Sequence, residues 1–289
     1  MKVLITGAKG FLGKYFQSEL VSQKIEGISL GRSLGNDVVC DLSIDIPVFS
    51  DDTYCDMVVH NAGMAHLVPQ NKKENQVFFD VNVTGTRHLL DGLNGLTKKP
   101  KCIVFISTVA VYGLEVGENI DELHSLNGIT PYAKSKIEAE KLIQLWCLEN
   151  GVNYVILRLP LVVGENAPGN LGAMEKAIRK GYYFRLGSGL ARRSMVNAAE
   201  VAKLIPSLID KFGIYNLTDG VHRSFAEMDN ILALKNQTRI KKIPVWMGKL
   251  LAKIGDFIPG FPLNTYRLSK LAQSLTFNDD KARKEIDWK

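Results

Sequence analysis

The sequence predicts an α/β fold, a doubly wound parallel sheet followed by a smaller carboxyl-terminal lobe. Three observations carry this. Short Val/Ile-rich runs without polar alternation recur through the first half, as expected of strands buried on both faces. They alternate with longer helix-like segments, which implies right-handed crossovers between parallel strands. After Pro160 the rhythm breaks, and Gly164, Pro168, Gly169, Gly172, Gly181, Gly187 and Gly189 crowd a loop-rich stretch. Residues 1–160, completed by parts of 193–217, are therefore expected to form the sheet domain, and 161–289 mainly the lobe.

Taken in order, the strands are expected at Val3–Thr6, Ile25–Leu30, Asp37–Cys40, Met57–His60, Cys102–Ser107 and Tyr154–Leu157. Helices are expected at Leu12–Ser22, Asn75–Leu93 and Tyr132–Glu149. Beyond Pro160 the pattern gives one helix, Ala173–Lys180, and one more strand, Ile214–Leu217. Val245–Ile254 reads as an amphipathic helix, ahead of the turn-rich Pro259-Gly260-Phe261-Pro262; such a helix could lie on a membrane, and packing within the lobe is the preferred expectation.

The first loop carries the first chemistry. Thr6-Gly7-Ala8-Lys9-Gly10-Phe11-Leu12-Gly13 runs from a strand into a helix. Gly7 allows the tight turn, Gly10 lets backbone approach a pyrophosphate, and Gly13 permits close helix packing. The N–H groups at the helix start then face the phosphates. The spacing is G-x-x-G-x-x-G, and its position directly after the first strand reads as a dinucleotide site.

Composition narrows the class. Of 289 residues, 46% are hydrophobic and 23% charged, ordinary values for a globular enzyme. The first strand begins so near Met1 that no secretory signal is expected ahead of it, and no apolar run approaches the ~20 residues that span a bilayer. A cytoplasmic location without membrane insertion is the expectation. The four cysteines, Cys40, Cys55, Cys102 and Cys147, form no C-x-x-C pair and are expected as free thiols. The five histidines show no metal-ligand spacing, so no metal is expected. The net charge of +6 is spread in small basic groups, which read as solvated surface rather than a nucleic-acid site.

Tyr132-x-x-x-Lys136 places a phenol and an ammonium one turn apart on one helix face. A free tyrosine ionises near ~10, so proton transfer at neutral pH needs the nearby cation to favour the phenolate. Thr108, at the end of a strand, supplies a hydroxyl to share the substrate oxygen. The spacing recurs at Tyr266-x-x-x-Lys270, but no sheet strand precedes it there, and Tyr266 is read as structural.

With these residues the chain resembles the extended short-chain dehydrogenase/reductases, the NAD-dependent epimerase/dehydratase family, over nearly its whole length. The motifs are the glycine loop, Asp41-Leu42, His60-Asn61-Ala62-Gly63, Asn82-Val83-x-Gly85-Thr86, Ser107-Thr108-Val109-Ala110-Val111-Tyr112-Gly113, Tyr132-x-x-x-Lys136 and Leu157-Arg158-Leu159-Pro160. The resemblance implies a Rossmann domain that binds NAD(P). Gly7, Lys9, Gly10, Phe11, Leu12 and Gly13 would cradle the dinucleotide. Asp41, beside Leu42, would hydrogen-bond the adenine, while Asn61, Ala62 and Gly63 would pass beneath the cofactor. Asn82 would support the site, and Lys136 would also hold the nicotinamide ribose. Thr108, Tyr132 and Lys136 would be catalytic. Relatives commonly pair two helices per subunit, so a homodimer through Asn75–Leu93 and Tyr132–Glu149 is expected.

Departures from the family pattern choose among reactions. The 4,6-dehydratases carry Asp-Glu directly after the catalytic threonine, whereas Val109 and Ala110 stand here and move no protons. The acidic residue that usually ends the second strand of NAD-specific members is replaced by Gly31, followed by Arg32 and Ser33, which suit a 2′-phosphate. NADP(H) is thereby favoured over NAD(H). Asn170-Leu171, Arg192 to Val196 and Leu217 to Gly220 look like a branch acting on UDP-sugars. By that resemblance Asn170 and Arg193 would hold the diphosphate, with His66 and Arg267 as further substrate contacts. The expected activity is NADPH-dependent reduction of a UDP-4-keto-6-deoxy-N-acetylhexosamine for surface polysaccharide. The alternatives are a UDP-hexose or UDP-N-acetylhexosamine 4-epimerase with bound NAD, and a non-catalytic NADP-binding redox sensor. The Tyr132–Lys136 pair argues against the last.

Overall fold

The computed structural model describes residues 1–50, 52–65, 67, 69, 71–258 and 264–289, without the side chains of Asn170, Tyr266, Arg267, Lys270 and Leu271. The chain opens with β1 (Lys2–Thr6), α1 (Phe11–Ser22), β2 (Glu26–Gly31), β3 (Val38–Val39) and β4 (Met57–His60). α2 (Lys72–Phe79) continues through a π turn at Asp80–Thr84 into α3 (Gly85–Asn94), and β5 (Cys102–Thr108) follows. Next come β6 (Gly117–Ile120), α4 (Pro131–Asn150), β7 (Asn153–Leu159), β8 (Leu161–Val163), α5 (Gly169–Arg179), β9 (Phe184–Leu186), β10 (Met195–Asn197), α6 (Ala198–Leu204) and β11 (Gly213–Asn216). The last elements are α7 (Phe225–Lys235), β12 (Lys241–Ile243), α8 (Val245–Phe257), α9 (Thr265–Ala272), β13 (Leu275–Phe277) and α10 (Asp280–Glu285).

Seven strands form one parallel sheet in the order β11-β7-β5-β4-β1-β2-β3. This is a Rossmann arrangement, and its strand order reverses between β1 and β4. A crevice for a dinucleotide opens there, outside the carboxyl ends of the strands. Strand periodicity sorts the core onto two faces. Val3, Ile5, Met57, Val59, Val104 and Leu157 pack under α1 and α6. Leu4, Val58, Ile103, Phe105 and Ile156 pack under α3 and α4.

Beyond Pro160 the structure adds the short strands β8, β9, β10, β12 and β13 and the helices α6, α7, α9 and α10, which the sequence pattern does not predict, and it departs from three of the expected elements. The strand expected at Asp37–Cys40 shrinks to Val38–Val39, because Asp37 turns back to accept from the Ser29 amide (2.8 Å) and hydroxyl (2.7 Å). The single helix expected over Asn75–Leu93 is interrupted by the π turn. α8 packs inward through Gly248, Ala252 and Gly255, and its large apolar residues face out. Among the described residues no helix is long and apolar enough to cross a membrane. The four cysteines are free thiols; Cys55, Cys102 and Cys147 are buried, and burial pushes each up to about 12.

Candidate active site

The glycine loop sits at the β1 end of the crevice. Gly7 has φ +67°, a left-handed conformation that costs a Cβ-bearing residue dearly, and a Cβ there would lie 2.9 Å from the Ala62 backbone. At Gly13 a Cβ would strike the carbonyl oxygens of Gly7 and Ala8, the latter at 2.6 Å. Gly13 thus lets α1 close onto the loop itself rather than onto the sheet. Gly10 is the exposed N-cap of α1; its own amide donates to the Gly7 carbonyl at 2.9 Å, and the amides of the first turn that follows it lack intrahelical acceptors and suit an anion. These are the features a pyrophosphate cradle needs, and the residues present fit the dinucleotide.

Behind the loop a buried relay fixes the next strand end. The Thr6 hydroxyl meets His60 Nδ1 at 2.8 Å, and His60 Nε2 meets Thr86 Oγ1 at 2.9 Å. Thr86 donates to the Asn82 carbonyl at 2.6 Å, so it accepts from Nε2–H. Thr6 Oγ1 accepts from the Asn61 and Ala62 amides at 3.2 and 3.0 Å, so its proton points to Nδ1. Only neutral imidazole satisfies this pattern. Burial, with a smaller contribution from the Lys136 charge, pushes His60 down to about 3. The relay ties the Asn61 and Ala62 amides to the end of β1.

The π turn directs Asn82 at the same segment. Its amide oxygen accepts from Met64 N at 2.7 Å, and its nitrogen donates to the Met64 carbonyl at 3.1 Å and to Ser135 Oγ at 2.9 Å. Ser135 donates in turn to the Tyr132 carbonyl at 2.8 Å. One extra residue in a helical turn thereby ties the β4 loop to the start of α4.

Thr130 caps α4, accepting from Ala133 N at 3.1 Å, and Pro131 occupies its first turn. Tyr132 follows, half-buried with its ring 6.0 Å from that of Phe78. Burial raises the Tyr132 phenol, while a hydrogen bond with the Thr108 side chain lowers it. Lys136, 5% exposed, donates to the Ile106 carbonyl at 2.8 Å and sits 4.5 Å over the Phe105 ring. Burial pulls it down to about 8, against the raising effect of Glu140. The sequence expectation that Lys136 draws the phenol down is corrected here, because the ammonium is turned onto the sheet carbonyl. The hydroxyl acting on Tyr132 is that of Thr108.

Sequence reading missed the ion network beneath. Glu140, fully buried, accepts from Arg158 Nη2 at 2.7 Å and Nε at 3.2 Å, and from Ser107 Oγ at 2.5 Å. Arg158 also donates to the Tyr112 hydroxyl at 3.1 Å, which donates to Asn216 Oδ1 at 2.7 Å. Glu140 lies one turn beyond Lys136, so the network sets the charge behind the lysine.

The remaining residues fall in separate groups. Asp41 accepts from Ser43 Oγ (2.6 Å) and Ser43 N (3.0 Å); these bonds, with a smaller contribution from Arg32, hold its carboxyl below the usual range. Arg32 is exposed at the same edge, and Ser33 interacts with Asn36. Leu42 is buried, its carbonyl accepting from His88 at 2.8 Å. Lys9 reaches the Leu34 carbonyl at 2.5 Å, while Phe11 stacks edge-on against Tyr15. Leu12 packs against the core. Arg193 donates to the Gln273 carbonyl at 2.5 Å and lies 5.4 Å from the Phe225 ring centre, and burial lowers it. His66 and the side chains of Asn170 and Arg267 lie outside the described residues. Among the described residues no cluster of histidine, cysteine and carboxylates could hold a metal.

A glycine loop at a switch point, a phenol whose ionisation a threonine hydroxyl lowers and a buried lysine define an enzyme of the nicotinamide-dinucleotide class. Residues 3–217 match the family model described as the NAD dependent epimerase/dehydratase family, and the chain belongs to that family. An Escherichia coli protein named N-acetyl-alpha-D-glucosaminyl-diphospho-ditrans,octacis-undecaprenol 4-epimerase is 27% identical over 255 residues, covering 84% of this chain and 73% of that protein. A UDP-glucose 4-epimerase of Lactobacillus helveticus is 30% identical over 185 residues, 60% of this chain and 55% of its own. The crystal structure of UDP-N-acetylglucosamine 4-epimerase from Bacillus cereus superposes with a TM-score of 0.74 at 22% identity, covering 100% of this chain and 93% of the other. That likeness is one of fold.

Proposed function

We propose that the protein epimerises C4 of a diphosphate-linked hexose or N-acetylhexosamine, with a UDP-sugar as substrate. The observation that carries this is the pairing of Tyr132 with Thr108 beside a dinucleotide loop, with Val109 and Ala110 where a dehydratase needs an acid and a base. The 4-epimerase names of its relatives support the same reading.

Tyr132 moves the proton at sugar O4, and Thr108 holds that oxygen by a hydrogen bond. The Thr108 hydroxyl favours the phenolate and so makes the phenol a better donor on the return leg, while burial raises the phenol and makes the phenolate a stronger base toward the O4 proton. Lys136 exchanges its bond to the Ile106 carbonyl for the nicotinamide ribose. When bound, the nicotinamide supplies reversible hydride acceptance. Arg193 is assigned to the diphosphate, and Asn170, His66 and Arg267 are assigned to the substrate by sequence alone.

Gly31, Arg32 and Ser33 favour a second reading, NADPH-dependent reduction of a 4-keto sugar nucleotide. NADP(H) over NAD(H) is part of that reading, and titration with both reduced dinucleotides tests it. The deciding experiment incubates purified protein with UDP-glucose or UDP-N-acetylglucosamine and resolves products by anion-exchange chromatography. Interconversion of C4 epimers without net dinucleotide consumption supports epimerisation. Stoichiometric NADPH oxidation against a 4-keto sugar nucleotide, with no epimer formed, establishes the reductase instead. A homodimer through α2–α3 and α4 completes the proposal, and sedimentation velocity tests it.

A further inference from the structure

α8 is built inside out. Its packed stripe is Gly248, Ala252 and Gly255, small residues that let the helix press on β9; a Cβ on Gly248 would meet Leu186 Cγ at 3.3 Å. The residues that normally anchor a helix face away. Trp246 is 67% exposed, Leu250 56% and Phe257 87%, with Met247, Leu251 and Ile254 also exposed. At about 100° per residue these six side chains span an arc of about 140°. Such a continuous outward apolar face is more than scattered surface leucines.

The charge around this face is predominantly positive. Lys249 and Lys253 flank it, and Arg239, Lys241 and Lys242 precede it, all exposed. The acid within the helix, Asp256, is engaged by the Thr265 amide at 2.9 Å and the Thr265 hydroxyl. A second copy of this face would bring like charges together, whereas an anionic surface complements them. Lysines with apolar stems beside an exposed Trp, Leu and Phe are the chemistry of a helix lying in a lipid interface.

We propose that α8 docks the protein on an anionic lipid bilayer, with its outward face among the upper acyl chains and its lysines among the phosphates. This inference goes beyond the reaction proposed above and does not rest on it. Docking is peripheral, by one helix lying in the membrane plane.

The test uses the full chain with vesicles of phosphatidylcholine, alone or with phosphatidylglycerol. The protein has three tryptophans, and Trp146 and Trp288 are buried, so an emission change reports Trp246. The expected result is co-sedimentation with the phosphatidylglycerol vesicles and a blue shift of emission. Leu250→Ser with Phe257→Ser weakens binding at least about tenfold. Lys249→Glu with Lys253→Glu removes the dependence on anionic lipid, and Trp246→Phe removes the shift while sedimentation persists. Wild-type protein that stays in the supernatant at every lipid concentration overturns the proposal. So does binding indifferent to the Leu250/Phe257 and Lys249/Lys253 substitutions, or a blue shift that follows protein concentration without lipid, which assigns the face to a second copy.

Discussion

Acidification should unlock the crevice through His60. Its ring is 1% exposed and carries two hydrogen bonds that only the neutral form satisfies, which is why burial drives it down to about 3 from the ordinary 6.5. A depressed histidine binds its proton in the unfolded chain first. Its stabilising contribution is therefore full above pH 6.5 and is lost as pH falls toward 3. Between pH 7 and pH 5 that loss is about 2 kcal/mol for this one group. Urea unfolding of the wild type and of His60→Gln at both pH values measures it. Gln keeps a donor and an acceptor but does not titrate, so its stability should fall by about 2 kcal/mol less across the interval. Equal losses in the two proteins would refute the relay as drawn.

Three further outcomes follow from the geometry. Tyr132→Phe should cut turnover by about 10²–10⁴ while dinucleotide affinity, measured by calorimetry, stays within twofold or so. Glu140→Gln leaves the buried Arg158 guanidinium without its counter-charge, so urea unfolding should report a loss of about 3–5 kcal/mol. A loss below about 1 kcal/mol would contradict that view of the network. Gly13→Ala forces a methyl onto the Gly7 and Ala8 carbonyls, displacing the start of α1, and dinucleotide binding should weaken at least about tenfold.

Much of this was legible because the signals are local. The glycine loop announces a strand, a turn and a helix within a dozen or so residues, and Tyr132 and Lys136 share one helix face at fixed spacing. What escaped needs contacts that sequence does not order. Glu140 meets Arg158 only because α4 packs over the β5–β7 pair. The π turn depends on one inserted residue that leaves the apolar pattern of 75–93 nearly intact, so periodicity reads straight through it. An amphipathic pattern such as that of Val245–Ile254 tells that two faces differ. It does not tell which is inward when glycine and alanine can supply the closer packing.

The polar groups at this site are already satisfied by the protein itself. Lys136 rests on the Ile106 carbonyl and Asn82 on the Met64 backbone. A ligand therefore gains only the difference between its own hydrogen bonds and those it displaces. In the proposed reading Lys136 gives up the Ile106 carbonyl for a ribose hydroxyl pair, which would offer it more acceptors than the one carbonyl. Substrate turnover and dinucleotide binding should then respond to the Lys136 proton together, and Lys136→Met should depress both, whereas Tyr132→Phe separates them.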